Sequence, residues 1–196
     1  EKQFKNQDDV KKDIQLLSSQ VERCNEILKR LTLNPVEEDE FIDKDISMKD
    51  YLSEIITSFK EISQKKFIFN HDQFSNQKKI TKSIEIVYGL RNFIGNANKF
   101  SKDKIHITLK SDSEITEITI EDDGNGYPKD VLSKIGEPYL RTKDPIDKSK
   151  TGLGLGLFIG KTLLEKNFAS INCRNSKTRS GAEVIIKWNN KDLFNI

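Results

Sequence analysis

The stretch Ile115-Thr116-Glu117-Ile118-Thr119-Ile120-Glu121-Asp122-Asp123-Gly124-Asn125-Gly126-Tyr127-Pro128 alternates β-branched apolar and polar residues, then breaks at an acidic, glycine-containing turn. Period-two alternation predicts a strand over residues 115–121 with one buried face. The turn alone fits a plain Asp-Gly hairpin, but Tyr127-Pro128 leads into a new short helix near residues 130–135 rather than a returning strand. Residues 105–110 alternate in the same way, and Ser111-Asp112-Ser113-Glu114 joins the two runs as a hairpin. Further out, the pattern predicts a helix over 48–61 burying Leu52, Ile55, Ile56 and Phe59, a strand over 66–69 and a longer helix over 81–100. An irregular stretch follows over 136–151, then a helix over 155–166 and strands over 170–175 and 183–188. Helices grouped before an antiparallel-rich sheet predict an α+β fold, a two-layer α/β sandwich.

The start of the chain differs. Val10, Ile14, Leu17, Val21, Cys24, Leu28 and Leu31 follow one another at gaps of 4, 3, 4, 3, 4 and 3, a coiled-coil seam flanked by polar residues. So narrow a stripe predicts pairing with another helix. Asn34-Pro35 stops it, and Glu37-Glu38-Asp39-Glu40 reads as a linker or exposed loop. The expected organisation is a helix over residues 1–34, a linker over 35–45 and a globular domain over 46–196.

Lys and Arg number 33 against 31 Asp and Glu, a net charge of +2, so no overall field argues for nucleic acid or an anionic membrane as direct partner. No apolar run approaches the roughly 18 residues that span a bilayer. Cys24 and Cys173 are too few and too far apart for a disulfide framework or a zinc site, which fits a reducing compartment. The expectation is a soluble, intracellular chain.

Three elements carry chemistry. On the long helix, Glu85, Asn92, Asn96 and Lys99 share one face, opposite Ile86, Leu90, Phe93, Ile94 and Ala97. Alone, this is an ordinary amphipathic helix whose polar face looks away from the sheet. An amide oxygen also suits Mg²⁺ held mainly by phosphates, and Lys99 suits phosphate as a point charge. Second, Asp122 ends a strand just before Gly124 and Gly126, so its carboxylate points from the sheet end where glycines admit a flat ring. Such a carboxylate accepts from an exocyclic amine and discriminates strongly. Third, Gly152-Leu153-Gly154-Leu155-Gly156-Leu157 opens a helix and places N–H groups where the dipole favours anions. Gly160-Lys161-Thr162 imitates the end of a P-loop, but Leu155 stands where its first glycine belongs. Between the second and third elements, the run from Gly136-Glu137-Pro138-Tyr139 through Arg141 and Lys143 has the length of a mobile lid. Arg141 and Lys143 are placed to meet phosphates, although the charge run fits a solvated surface equally well. In this order the elements read as an ATP site.

These residues resemble the ATP-binding domain of sensor histidine kinases: an N box (Asn92 to Lys99), a G1 box (Asp122 to Gly126), an F-box-like lid start (Gly136 to Tyr139) and a G2 box (Gly152 to Leu157). The resemblance implies the Bergerat fold shared with gyrase- and Hsp90-type ATPases. By position it implies Asn96 on Mg²⁺, Asn92 and Lys99 near the phosphates, Asp122 on adenine, and the G2 glycines around the phosphates. More narrowly, Leu90-Arg91-Asn92-Phe93, Ile135-Gly136-Glu137-Pro138-Tyr139 and Gly154-Leu155-Gly156-Leu157-Phe158-Ile159 are similar to the RegB/PrrB redox-sensing kinases. So is Leu16-Leu17-Ser18-Ser19-Gln20-Val21-Glu22-Arg23-Cys24, which resembles that family's redox box. The implied protein is the cytoplasmic part of an inner-membrane bacterial sensor, a homodimer through its first helix, whose cysteine responds to oxidation. Its phosphoryl group passes to an aspartate of a RegA/PrrA-like response regulator.

A histidine kinase needs a phospho-acceptor histidine in an H box before the helix at 10–31. His71 and His106 lack that context and read as structural or surface residues. The chain is therefore expected to be the second dimerisation helix with a complete ATP-binding domain, and no residue is assigned as catalytic. The alternatives are a gyrase/Hsp90-like hydrolytic ATPase, which needs a carboxylate base that the amide of Asn92 cannot supply, and a nucleotide-gated interaction module. Cys24, in the seam, allows a disulfide between two parallel helices; Cys173, on an interior-type strand, should stay unreactive.

Overall fold

The computed structural model describes residues 46–72, 79–80, 83–138 and 155–194. The seam helix with Cys24, the linker, Tyr139, Arg141, Lys143, Gly152, Leu153 and Gly154 lie outside the described residues.

Alternation makes the sheet. β4 (Lys104–Ser111) and β5 (Ile115–Asp122) pair antiparallel as the expected hairpin, with Ile105, Ile107, Leu109, Ile118 and Ile120 buried on one face. β7 (Ala182–Asn189) adds to β5 so that Leu109, Ile118 and Ile186 form one buried row and Ile107, Ile120 and Val184 the next. β2 (Lys66–His71) runs parallel to β4, and β6 (Ser170–Asn175) runs antiparallel to β7, giving the order β2-β4-β5-β7-β6. Among the described residues β6 pairs on one side only, so Cys173 sits on an edge strand and not an interior one. The opposite face is polar, with cross-strand pairs Lys187–Glu117 (2.7 Å) and Arg174–Glu183.

The helices cover the apolar face. α1 (Met48–Lys60) starts at Ser47, whose hydroxyl accepts from Asp50 N at 3.1 Å, and buries Tyr51, Leu52, Ile55 and Ile56. α2 (Ile84–Phe100) starts at the cap Ser83, and its carbonyl accepts from Tyr51 Oη at 2.6 Å, tying the two helix starts together. α3 (Lys129–Leu132) is shorter than the sequence predicted; residues 133–136 form a turn. α4 (Gly156–Lys166) packs on α2 and β6. This is the expected two-layer α+β sandwich. Three elements escaped the sequence pattern: β1 (Ile46–Ser47), β3 (Lys79–Ile80), which pairs with it, and α5 (Asn190–Leu193). Among the described residues, no helix is long and apolar enough to cross a membrane.

The α2–α4 contact is set by two glycines. A Cβ on Gly89 would lie 2.5 Å from Leu164 Cγ, and one on Gly160 would lie 3.2 Å from the Gly89 carbonyl oxygen and 3.1 Å from Asn92 Cβ. The crossing brings the polar side of α2 onto α4, and Glu85 forms an ion pair with Lys166 at 3.5 Å. The polar face of α2 looks away from the sheet, as its sequence suggested, and part of it meets a helix. Gly160 serves packing, and Lys161 and Thr162 lie inside α4.

Candidate functional site

β5 delivers Asp122 in phase with Ile118 and Ile120, so its carboxylate lies on the helix side of the sheet and is only 4% exposed. Its Oδ1 accepts from the backbone N–H groups of Gly124 (2.8 Å) and Ala182 (3.2 Å). Burial raises its pKa above the ordinary carboxylate value; the two backbone hydrogen bonds oppose this, and the charge of Asp123 adds to the rise. The turn after it is pinned at both ends. A Cβ on Gly124 would lie 2.3 Å from the carbonyl oxygen of Phe100, the last residue of α2. Gly126 has φ +73°, a conformation that favours glycine, and Asn175 Oδ1 lies 2.6 Å from its Cβ position. Asn175 also accepts from Tyr127 N at 2.6 Å and donates to Tyr127 O at 3.0 Å.

On α2, Asn92 donates to Tyr88 O at 2.8 Å, one helical turn back, which fixes its amide. Its Oδ1 then lies 3.5 Å from the Cβ position of Gly156, the first residue of α4. Asn96 is half-buried one turn further on, and Lys99 Nζ lies 5.4 Å from the Phe100 ring centre. Glu85, on the same face, is drawn to the far end of α4 by Lys166. Leu155 occupies the cap position of α4, whose first residue, Gly156, comes one residue later than the helix start expected from sequence.

The structure therefore brings Asn92 and Gly156 together, and sets the C-terminal end of α2 against the Asp122–Gly126 turn. A buried carboxylate and its glycine turn thus meet the C-terminal end of the helix that carries the amides, and one of those amides, Asn92, meets the glycine that starts α4.

The profile of the "Histidine kinase-, DNA gyrase B-, and HSP90-like ATPase" family matches residues 81–192, more than half of the chain. The chain belongs to this family. It is 34% identical over 127 residues to the sensor histidine kinase RegB of Cereibacter sphaeroides, an alignment covering 57% of this chain and 28% of that protein. The sensor histidine kinase CpxA of Escherichia coli is 31% identical over 87 residues, covering 44% of this chain and 19% of CpxA. The chain spans under a third of the length of either. Among solved structures, the mycobacterial sensor histidine kinase MprB has the same fold (TM-score 0.61, 17% identity, 74% of this chain and 97% of that one). So does full-length ShkA, solved in complex with AMPPNP (TM-score 0.62, 20% identity, 87% of this chain and 35% of that one).

In this histidine kinase-type ATP-binding domain, four features at the site escaped the sequence reading. Gly181 faces Asp122, Asn175 ties down the turn, and Asp123 binds the backbone after α2. Ser180-Gly181 is a turn signal in sequence, but nothing local says that it faces Asp122. The fourth is Tyr127, whose hydroxyl is buried beside Cys173 with no hydrogen bond of good geometry among the described residues.

Proposed function

We propose that this domain positions MgATP for transfer of its γ-phosphoryl group to a histidine outside the described residues, and thence to a response-regulator aspartate. The observation that carries the reading is Asp122, a buried carboxylate held by two backbone N–H groups on the side of the sheet where Asn92 meets Gly156. Asp122 accepts from the adenine amine, and a base lacking that donor would forgo this charged hydrogen bond, leaving the carboxylate only its two backbone donors. Asn92 and Lys99 approach the phosphates, and Gly152, Leu153, Gly154, Leu155 and Gly156 surround them at the start of α4. Tyr139 and Arg141, outside the described residues, are the remaining residues proposed to bind the nucleotide. Asn96 is the amide that would hold Mg²⁺, which supplies charge neutralisation at the phosphates when bound. The half-buried Asn96 side chain, one turn from the fixed amide of Asn92, fits a cation that keeps most of its oxygen ligands from phosphate and water.

Neither histidine of the domain is placed to accept the phosphoryl group. His106 alternates onto the polar face of the sheet, opposite Asp122, where Arg179 donates to its Nε2 at 3.2 Å. His71 pairs with Leu109, whereas Asp122 pairs with Ile105, so the two lie toward opposite ends of the sheet. The acceptor is a histidine on a dimerisation helix, with the seam at residues 10–31 as that helix's partner. The same proposal carries over, from the resemblance of residues 16–24 to the RegB/PrrB redox box, redox control through Cys24, a RegA/PrrA-like partner and a membrane-anchored dimeric parent protein.

The test is to supply ATP, Mg²⁺ and a peptide carrying an H-box helix, then measure acid-labile phosphate on the peptide against free phosphate. Transfer to the peptide supports the kinase. Fast phosphate release without transfer would establish a hydrolytic ATPase, and binding without either reaction a nucleotide-gated module.

A further inference from the structure

The stretch between α2 and β4 is held on both sides. Asp123 Oδ1 accepts from Lys102 N (2.8 Å) and Asp103 N (3.0 Å), and its Oδ2 from Asp103 N (3.2 Å) and Lys104 N (3.0 Å). The carbonyls of the same stretch are taken from the other side: Lys65 Nζ donates to Ser101 O (3.1 Å) and to Lys102 O, and Lys66 N to Asp103 O (2.8 Å). Immediately before it, the Phe100 carbonyl lies against Gly124. One carboxylate thus welds the backbone that leaves α2 to the residue following Asp122. Charge-assisted bonds to backbone N–H groups are about twice as strong as neutral ones, and here they cross between two segments that carry separate parts of the site.

We propose that Asp123 is a positioning residue that sets the distance between the base-binding Asp122 and the phosphate-facing amides of α2, so that one nucleotide spans both. Lys65 supports it from the opposite side. This rests on the nucleotide site proposed above. Both oxygens of Asp123 are taken by the backbone N–H groups of Lys102, Asp103 and Lys104, so it acts through position rather than through contact with the ligand. Its own effect is on how well the two halves of the site match, while Asp122 keeps its supports from Gly124 and Ala182.

A stabilising contact alone would change melting temperature but not the relative affinity for ligands of different length. The informative quantity is therefore the ratio of MgATP affinity to adenosine affinity, measured by calorimetry on the full chain. In Asp123→Ala this ratio is expected to fall at least fivefold, because adenosine engages only the Asp122 end. Asp123→Asn retains one acceptor oxygen and should fall between wild type and Asp123→Ala. Lys65→Met, which leaves Asp123 in place, should lower the ratio in the same direction by a smaller factor and guards against misfolding of the Asp123 variants. A lowered melting temperature with an unchanged ratio in Asp123→Asn and Lys65→Met would overturn the proposal. Failure of the wild-type chain to bind either ligand would instead overturn the nucleotide site itself.

Discussion

A Cβ placed on Gly181 would lie 2.0 Å from the carbonyl oxygen of Asp122 and 2.4 Å from its Oδ1. The start of β7 and the end of β5 are that close because Ala182 N must reach the Asp122 carboxylate. The obstruction is backbone, so no side-chain rotation relieves it. Gly181→Ala is expected to destabilise the domain by about 1–3 kcal/mol and to weaken ATP binding by more than that loss explains, since Asp122 itself is displaced. Denaturant titration with calorimetry on the folded variant checks both, and a variant of wild-type affinity would refute the second part.

Asp122 also couples function to pH. Burial raises its pKa, so the folded chain holds this proton more tightly than the unfolded chain. Its contribution is stabilising below the unfolded carboxylate pKa and is lost as pH rises through the raised folded value. At neutral pH the ionised carboxylate therefore costs stability. Asp122→Asn keeps an acceptor oxygen for Gly124 N and Ala182 N without the charge. The variant should equal or exceed wild type in stability at pH 7, with the difference shrinking as pH falls through the carboxylate range. Nucleotide affinity should drop about 10–100-fold, the worth of a charged hydrogen bond. Denaturation curves at several pH values test the sign; a variant clearly less stable than wild type at pH 7 would contradict it.

What the sequence disclosed and what it withheld divide along local and non-local lines. β4 and β5 were legible because alternation is a local signal, and the same alternation puts Asp122 on the buried face. The helical face carrying Asn92, Asn96 and Lys99 was legible for the same reason. The parallel pairing of β2 with β4, and the edge position of β6, depend on which strand lies beside which; Ile171 and Cys173 alternate alike in either place. Glu85 read as a member of the polar site face, yet Lys166, distant in sequence, takes it. Asp123 and Gly181 act on the chain across a turn or a sheet, so their types alone carried no sign of the role. β1 and β3 are two residues each, too short for any period to register.

Gly89 offers a test of the helix crossing that carries Asn92 to Gly156. Alanine in a helix interior gains about 1 kcal/mol over glycine, but a Cβ here would lie 2.5 Å from Leu164 Cγ, and Leu164 is fully buried. Overpacking of about 1–3 kcal/mol should win. Gly89→Ala is expected to be destabilising. Leu164→Ala alone should cost about 2–5 kcal/mol. The double variant should be more stable than the sum of the two losses, because the truncated side chain makes room for the new methyl. Strict additivity in denaturant melts would mean that Leu164 is not the obstacle.

The two cysteines should separate cleanly. Burial pushes the Cys173 thiol up to about 11, with the Tyr127 hydroxyl and the Lys161 charge opposing the rise. Only the thiolate reacts, and an ordinary cysteine has a pKa near 8.5. At pH 8, Cys173 in the folded chain should label roughly two hundredfold more slowly than a free thiol, on that thiolate fraction. Its rate should climb about tenfold per pH unit until near its own pKa. Unfolding with denaturant should restore the ordinary rate. Cys24→Ala isolates Cys173 for this measurement, and Cys173→Ala isolates Cys24 for the redox reading. In the second background, oxidant should yield a reducible dimer on a non-reducing gel while ATP binding persists. Fast labelling of folded Cys173, with no dimer through Cys24, would reverse the assignment and leave Cys24 as a packing residue.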